Sequence, residues 1–203
     1  MSKDHREYKQ DPFQSMDDVA LWQLFRNGNN GVFELIYNRY VNLLANYGRR
    51  ICSDDETLKD AIQDLFIDLW KNRTNLGSTN SIQYYLVKAL RRNLVKKLKA
   101  ARKQVYTSDD PIGFELSPEM ILINNESDRK LKEQLHESLN TLTCRQKEVI
   151  YLRFYCGMDF ANISKIMGVN PQSAYNTVYR VLKVLREQML HKIPILLIFL
   201  LQG

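Results

Sequence analysis

The sequence of 203 residues is poor in the residues that build metal sites and disulfide frameworks. It has three cysteines and three histidines, which are scattered and include no C-x-x-C pair. An odd cysteine count argues against a disulfide scaffold, and scattered histidines give no zinc site. We therefore expect no metal and no cofactor, and free thiols packed as small apolar groups in a reducing cytoplasm.

Long hydrophobic runs are also scarce. Residues 1–14 are polar, so no signal peptide is expected. The longest apolar run is nine residues, from Ile193 to Leu201, and it contains Pro194. A membrane span needs about twice that length, so we expect no stable membrane insertion. The tail, residues 192–203, is expected to pack on the protein or on a partner, with a weak membrane contact as the alternative.

Segments that alternate between polar and apolar residues, as strands do, are almost absent, and helical periodicity dominates. One stretch, residues 104–126, breaks that pattern with two prolines, a glycine and several acidic residues. The sequence therefore predicts an all-α protein. Two small helical domains, residues 15–103 and 127–191, are expected to be joined by this stretch as a flexible linker.

Helices are predicted in the first domain at about 18–27, 30–52, 54–72 and 81–103. The third has an apolar stripe and, on another face, Asp60, Asp64 and Asp68 at intervals of four. Like charges at that spacing repel each other. The row is either a solvated acidic face or a surface that a basic partner neutralises. A metal site is disfavoured because one helix does not make its carboxylates converge.

Acidic residues are absent from Lys71 to Ser108, whereas ten lysines and arginines fall in that stretch. A basic stripe without counter-charges repels itself unless an anion binds it. Tyr84 and Tyr85 precede most of the cations, and aromatic rings beside a basic track suit unstacked bases. Nucleic acid is therefore the favoured partner. An acidic membrane surface is the competing interpretation, and one of the two tyrosines is expected to be a core residue.

Capping signals frame the helices of the second domain. Thr143 and Gln146 form a capping box, and the helix that follows is predicted to run to Cys156. A short helix over 160–167 comes next and ends at Gly168. These signals predict helices whose boundaries are set by local side chains.

A longer helix, over residues 171–189, is predicted to begin with Asn170 as its cap. A short helix, a tight turn and a second helix make a helix-turn-helix, whose second helix enters the major groove of DNA. Polar side chains there suit base edges and phosphates. The residues expected to contact DNA are Gln172, Ser173, Tyr175, Asn176, Tyr179, Arg180 and Lys183. An ordinary helical hairpin is the alternative.

Two stretches together resemble a known family. Residues 60–70 (DAIQDLFIDLW) and 84–94 (YYLVKALRRNL) are similar to region 2 of sigma factors, and residues 139–186 are similar to region 4. From about 17 to 188, the chain resembles a bacterial RNA polymerase sigma factor of the extracytoplasmic-function (ECF) group of the sigma-70 family. Residues 172–176 resemble the Bacteroidetes type, although Tyr175 and Thr177 stand where many relatives have basic residues.

The resemblance implies a role for each surface. Region 2 would bind core RNA polymerase at the clamp helices of its largest subunit, through Asp60, Gln63, Asp64, Phe66 and Trp70. The helix over 81–103 would melt and hold the minus-ten promoter element, through Tyr84, Lys88, Arg91, Arg92, Asn93, Lys96 and Lys97. Region 4 would read the minus-thirty-five element beside the polymerase flap. The resemblance also implies an anti-sigma factor as a partner.

The predicted function is therefore that of a sigma factor, which binds core RNA polymerase and directs promoter recognition and transcription initiation without catalysis of its own. The main alternative is a stand-alone helix-turn-helix regulator. That class needs a receiver or ligand domain, and the first half lacks the βα alternation of one. Two further rivals are a nuclease that uses the aspartate row and a membrane-surface protein that uses the basic helix and the apolar tail.

Overall fold

The computed structural model describes residues 13, 16–102, 113–116 and 129–189, and every regular element in these ranges is helical. The first half contains α1 (Asp18–Arg26), α2 (Asn30–Gly48), α3 (Asp55–Lys71), a short 3-10 turn (Arg73–Asn75) and α4 (Ile82–Arg102). The second half contains α5 (Arg129–Asn140), α6 (Cys144–Ile150), α7 (Phe160–Met167) and α8 (Pro171–Met189). The all-α prediction is confirmed.

Some predictions fall outside the described residues. These are the end of the fourth helix at Lys103, most of the predicted linker and the apolar tail. Within the ranges that the structure describes, no helix is both long and apolar enough to cross a bilayer.

Side-chain caps set where the first three helices begin. Asp17, Asn29 and Asp54 each accept the backbone N–H three residues further along, at 2.8, 3.1 and 2.9 Å. Each oxygen thereby satisfies a donor that has no partner within its own helix. Hydrogen bonds from the side chain and then the backbone of Thr57 lower the pKa of the Asp54 carboxyl.

Helix α2 ends at Gly48, short of the predicted end at Cys52. The backbone N–H groups of Ile51 and Cys52 both donate to the carbonyl of Gly48, at 2.9 Å each, and close the helix in a turn. Ile51 and Cys52 are buried beyond the helix, which is why the apolar pattern alone ran too far. Gly48 also lies where α2 meets α3, and a Cβ there would collide with a methyl of Leu58.

The second half begins with the predicted capping box. The Thr143 N–H donates to Oε1 of Gln146 at 2.9 Å, and the Gln146 N–H donates to Oγ1 of Thr143 at 3.3 Å. The α-helical path ends at Ile150, and the chain continues through a wider π turn over Tyr151–Tyr155. The predicted helix thus reaches Cys156 only by changing its geometry.

The two halves share one hydrophobic core, and part of the predicted linker lies in it. Phe114 is 1% exposed, and its ring centroid is 6.0 Å from that of Tyr47 and 5.6 Å from that of Tyr151. The N–H of Glu115 donates to the carbonyl of Arg50 at 3.0 Å. Residues 113–116 are therefore anchored between the halves.

Candidate nucleic-acid interface

Helix α4 is held at its first residue by side chains of α1 and α2. Oδ2 of Asp18 accepts the N–H of Ile82 at 2.8 Å, and Oδ1 accepts the hydroxyl of Tyr40 at 3.3 Å. Burial and the Asp18 charge raise the pKa of Tyr40 to about 12, so its hydroxyl remains a donor. Nε1 of Trp22 donates to the carbonyl of Gly77 at 2.8 Å and fixes the preceding loop. The start of the basic helix is therefore rigidly placed.

One side of α4 is apolar and buried, and the other carries cations. The buried residues are Ile82, Leu86, Val87, Leu90 and Leu94. Lys88, Arg92 and Lys96 are exposed and four residues apart, so they lie in one line along the helix. We call these three residues the basic strip.

The two tyrosines at the start of α4 have different surroundings. Tyr85 packs against Trp22 with ring centroids 4.9 Å apart, and burial raises the pKa of its hydroxyl. Tyr84 is half-buried, and its hydroxyl accepts a hydrogen bond from Nζ of Lys88 at 2.9 Å. Both tyrosines are half-buried and line the same cleft, so Tyr85 differs in its contact with Trp22 and Tyr84 in its position beside the basic strip.

Other predicted contacts of α4 are engaged within the chain. Nζ of Lys97 lies 2.8 Å from Oδ2 of Asp64 on α3, and that hydrogen bond raises the pKa of Lys97. Asn93 is half-buried. The aspartate row of α3 therefore finds one of its basic partners inside the chain.

Arg91 is bound by the second half of the chain. Its Nε donates to Oε1 of Glu148 at 2.8 Å and its Nη2 to Oε2 at 3.2 Å, while the hydroxyl of Tyr47 donates to Oε1 at 2.6 Å. Glu148 is 3% exposed. Burial, reinforced by Glu148, raises the pKa of Tyr47 well above its usual range. Burial alone would lower the pKa of the Arg91 guanidinium. The hydrogen bonds to Glu148 and the charge of its carboxylate have the larger effect, so the pKa is raised.

A cleft of about 690 Å³ lies beside this ion pair, between α4 and α7. Its α4 wall carries Tyr84, Tyr85, Lys88, Arg91, Arg92, Lys96 and Lys99, and Ile166 of α7 lines the other side. Aromatic rings together with several cations suit a strand of unstacked bases and phosphates. The cleft therefore has the chemistry that was predicted for α4.

A second groove, of about 720 Å³, lies between α2 and α3. Of the residues predicted to bind core polymerase, Gln63, Phe66 and Trp70 line this groove, whereas Asp60 and Asp64 are exposed on α3. Phe66 is almost fully buried, so only the edge of its side chain is available to a partner.

Two apolar residues of this groove had no predicted role. Tyr37 and Ile67 line it and are 42% and 41% exposed. Ile67 lies outside the apolar stripe that α3 buries. An apolar residue at such a position could have indicated an exposed contact surface. Tyr37 could not be identified from the pattern of its own helix. What places it in the groove is its contact with Phe66 of α3, with ring centroids 4.9 Å apart, and a contact between two helices is not visible in the sequence.

Helix α8 presents its N-terminal half to solvent. Of its predicted DNA contacts, the exposed ones are Gln172, Tyr175, Asn176, Tyr179, Arg180 and Lys183. Ser173 is half-buried, and its N–H donates to the capping Oδ1 of Asn170 at 2.7 Å. Gly168 ends α7 with a φ of +65°, which makes the tight turn between the two helices.

Hydrogen bonds link several side chains on this face. Nε2 of Gln172 donates to Oδ1 of Asn176 at 3.0 Å, and Nε of Arg180 donates to the carbonyl of Asn176 at 3.2 Å. The ring of Tyr175 meets that of Phe160 edge-on, with centroids 5.4 Å apart. An exposed helix with amide and guanidinium groups held in place has the geometry of a major-groove reader.

The fold and these surfaces define an all-helical DNA-binding protein with a helix-turn-helix in its second half. Two family models match the chain, sigma-70 region 2 over residues 36–104 and sigma-70 region 4 over residues 132–185. Between them the models cover more than half of the sequence, and they occur in the order that sigma factors have. The chain belongs to the sigma-70 family: it is a sigma factor, which binds core RNA polymerase and directs promoter recognition and transcription initiation.

Curated relatives refine the group. The chain is 26% identical over 137 residues to RNA polymerase sigma factor SigV of Bacillus subtilis (strain 168), covering 68% of this chain and 78% of that protein. It is 22% identical over 165 residues to ECF RNA polymerase sigma factor SigX of the same organism, covering 77% and 83%. With both regions present, these similarities identify an ECF sigma factor.

Solved structures show the same fold. CnrH, in complex with the cytosolic domain of CnrY, superposes with a TM-score of 0.56 at 15% identity, covering 87% of this chain and 99% of that one. RpoE, in complex with the anti-sigma factor NepR from Bartonella quintana, superposes with a TM-score of 0.55 at 18% identity, covering 79% and 98%. The arrangement of helices is therefore that of known sigma factors.

Proposed function

We propose that this ECF sigma factor divides promoter recognition between two of its helices. The basic strip and Tyr84 on α4 hold the unpaired minus-ten strand, and the exposed face of α8 reads the minus-thirty-five duplex. The observation that carries the proposal is the cleft beside α4, which combines aromatic rings with several cations. Phosphates bind the cations and bases stack on the ring, so affinity should fall steeply with salt.

The residues of α4 contribute in different ways under this proposal. Lys88, Arg92 and Lys96 contact phosphates directly, because they are exposed and lie in one line. Arg91 and Lys97 join them once their ion pairs with Glu148 and Asp64 are exchanged for contacts with DNA, and the half-buried Asn93 contributes its amide.

On α8, the amide groups of Gln172 and Asn176 and the guanidinium of Arg180 contact base edges. Amides match adenine and a guanidinium matches guanine. Lys183 and Ser173 contact the backbone, and the rings of Tyr175 and Tyr179 pack against it. The hydrogen bonds among these side chains support this assignment, because groups ordered in advance lose less entropy on binding.

The groove between α2 and α3 is the docking site for core polymerase in this proposal. Its apolar floor lies beside Asp60, Gln63 and Asp64 on the same helix, which complements a partner surface that is basic and partly apolar. The clamp helices of the largest polymerase subunit would bind there, and the flap would bind region 4. An anti-sigma factor is a further partner, since the related RpoE structure is a complex with one.

The chain acts in the cytoplasm, where core polymerase and promoter DNA are found, and it contributes binding rather than catalysis. The sequence of residues 172–176 supports a sigma factor of the Bacteroidetes type.

Transcription from a randomised promoter library by core polymerase plus this chain tests the division of labour. The selected promoters should share an upstream and a downstream element. Asn176→Ala should change the sequence selected upstream, at about 1–3 kcal/mol for a lost base contact. Lys96→Ala should lower the yield without changing either element. If Asn176→Ala alters only the downstream element, the assignment of α8 is refuted.

A further inference from the structure

Three polar side chains on the exposed face of α8 are joined by hydrogen bonds. Gln172, Asn176 and Arg180 follow one another at intervals of four, so they lie in one line along the helix, and all three are exposed. Nε2 of Gln172 donates to Oδ1 of Asn176 at 3.0 Å. Nε of Arg180 donates to the backbone carbonyl of Asn176 at 3.2 Å. Each bond occupies part of a side chain and thereby defines which of its groups remain for DNA.

The bond between the two amides divides their polar groups into an inner and an outer set. A side-chain amide has an oxygen that accepts hydrogen bonds and an amino group that donates them. The amino group of Gln172 and the oxygen of Asn176 are joined in the bond and form the inner set. The oxygen of Gln172 and the amino group of Asn176 form the outer set. The linked pair therefore offers DNA one acceptor and one donor, which belong to two different residues.

Adenine is the base whose major-groove edge matches this outer set. Its N6 amino group donates and its N7 accepts. Guanine presents two acceptors in that groove, so its O6 would face the oxygen of Gln172. Cytosine presents only a donor, and thymine presents an acceptor beside a methyl group. Of the four bases, adenine alone forms hydrogen bonds with both outer groups.

We propose that Gln172 and Asn176 read one adenine of the upstream promoter element as a single unit, in which the oxygen of Gln172 accepts from N6 and the amino group of Asn176 donates to N7. An unlinked amide binds an adenine by itself through both of its groups. The link removes that option, because each amide turns one of its groups toward its neighbour. This inference rests on the proposed role of α8 in DNA binding and specifies the base that the linked pair selects.

Arg180 extends the reading along the same line of the helix. Its Nε is bonded to the carbonyl of Asn176, which leaves the two terminal amino groups of the guanidinium for a base edge. Two donors side by side match N7 and O6 of guanine. Four residues of an α-helix rise by about 6 Å, which corresponds to about two base-pair steps of ~3.4 Å. The upstream element should therefore contain a guanine about two steps from the adenine.

The test measures binding of promoter DNA by the holoenzyme that core polymerase forms with the full chain. Each position of an upstream element selected from the randomised library is replaced in turn by the other three bases. Competition against a fluorescein-labelled promoter, followed by fluorescence anisotropy, gives the affinity for each sequence. The wild type should prefer adenine at one position by about tenfold or more.

Gln172→Ala and Asn176→Ala should each lose most of this preference, and both should lose it at the same position. The double variant should lose little more, because either single substitution already breaks the unit. Gln188→Ala removes an exposed amide near the end of the same helix, and this control should leave every preference unchanged.

Gln172→Glu should create a new preference, which a loss of folding cannot do. A carboxylate only accepts hydrogen bonds, so the amino group of Asn176 turns toward it and the outer set becomes two oxygens. These oxygens suit the N4 amino group of cytosine, whereas N7 of adenine would face an acceptor. The preferred base at the adenine position should therefore change from adenine to cytosine.

The outcomes separate this inference from the role of α8 on which it rests. If Gln172→Ala and Asn176→Ala lose preference at two different upstream positions, each amide reads its own base, and the single unit is overturned while α8 remains the reader. An adenine preference that survives Gln172→Glu would overturn the unit as well. If neither alanine variant changes any upstream preference, the proposed role of α8 is itself refuted.

Discussion

Lys88, Arg92 and Lys96 reach solvent along one side of α4, whereas Lys97 is paired with Asp64 and Arg91 with Glu148. A cation that has no ion pair within the chain neutralises a phosphate without first giving up a counter-charge. Removal of different cations from this helix should therefore change the salt dependence of DNA binding by different amounts, although the cations carry the same charge.

Arg92→Ala and Lys96→Ala should each weaken binding of single-stranded DNA and lower the slope of log affinity against log salt by about 0.7. Fluorescence anisotropy at a series of salt concentrations measures both quantities. Arg39→Ala, which removes the same charge from an exposed position on α2, is the control and should leave the slope unchanged. Equal slopes for all three variants would mean that DNA does not contact the basic strip.

The thiol of Cys156 should be nearly inert. Burial disfavours the thiolate and raises the pKa of Cys156 to about 12, so at pH 8 only about one molecule in ten thousand carries the reactive thiolate. Alkylation by iodoacetamide, mapped by mass spectrometry, should modify the half-buried Cys144 well before Cys156. The rate of Cys156 alkylation should rise with pH throughout the range in which the chain stays folded. Rapid alkylation of Cys156 at pH 8 would contradict its burial between the halves.

At the scale of an element, the turn of the helix-turn-helix depends on Gly168. Its φ of +65° lies in the left-handed region, and a Cβ there would meet no atom within 4 Å. Gly168→Ala should therefore lower the free energy of unfolding by about 1–2 kcal/mol through backbone strain alone. Gly168→Asn should cost less, because asparagine tolerates this region. Urea denaturation measures both, and equal stability of the wild type and Gly168→Ala would refute the strained turn.

Asp18 supports α4 from another helix, and its loss should affect DNA binding. Asp18→Ala removes the acceptor for the Ile82 N–H and should lower the free energy of unfolding by about 1 kcal/mol. Asp17→Ala, which removes the cap of α1 itself, is the matched control, because it costs a similar amount and leaves α4 capped. Only Asp18→Ala should also weaken single-strand binding. Equal affinities of the two variants would show that the α4 start does not need this anchor.

Helix starts were predictable from the sequence, since a cap and its helix lie within three residues of each other. Thr143 and Asn170 were identified in this way, and the structure confirms both. The end of α2 was not predictable, because the buried residues Ile51 and Cys52 continue the apolar pattern past the turn that closes the helix. Ser81 caps α4 locally, whereas the bond from Ile82 to Asp18 spans 64 residues of sequence and left no local signal.

At the scale of the whole molecule, the sequence identified the two candidate DNA surfaces but not their relation. Charge and aromatic patterns marked α4, and capping signals with a polar face marked α8. No role or burial was predicted for Glu148. Its partners Arg91 and Tyr47 lie 57 and 101 residues away, and such distances leave no trace in helical periodicity. The packing of the halves therefore emerged only from the structure.

Binding to core RNA polymerase tests most directly whether this chain acts as a sigma factor. The purified chain is titrated into core polymerase that carries a fluorescently labelled housekeeping sigma factor, and release of the label is followed. The account predicts competitive displacement, and weaker displacement by Trp70→Ala, which removes a side chain from the groove between α2 and α3. Absence of displacement, with tight binding of the free chain to duplex DNA, would contradict the account and favour a stand-alone regulator.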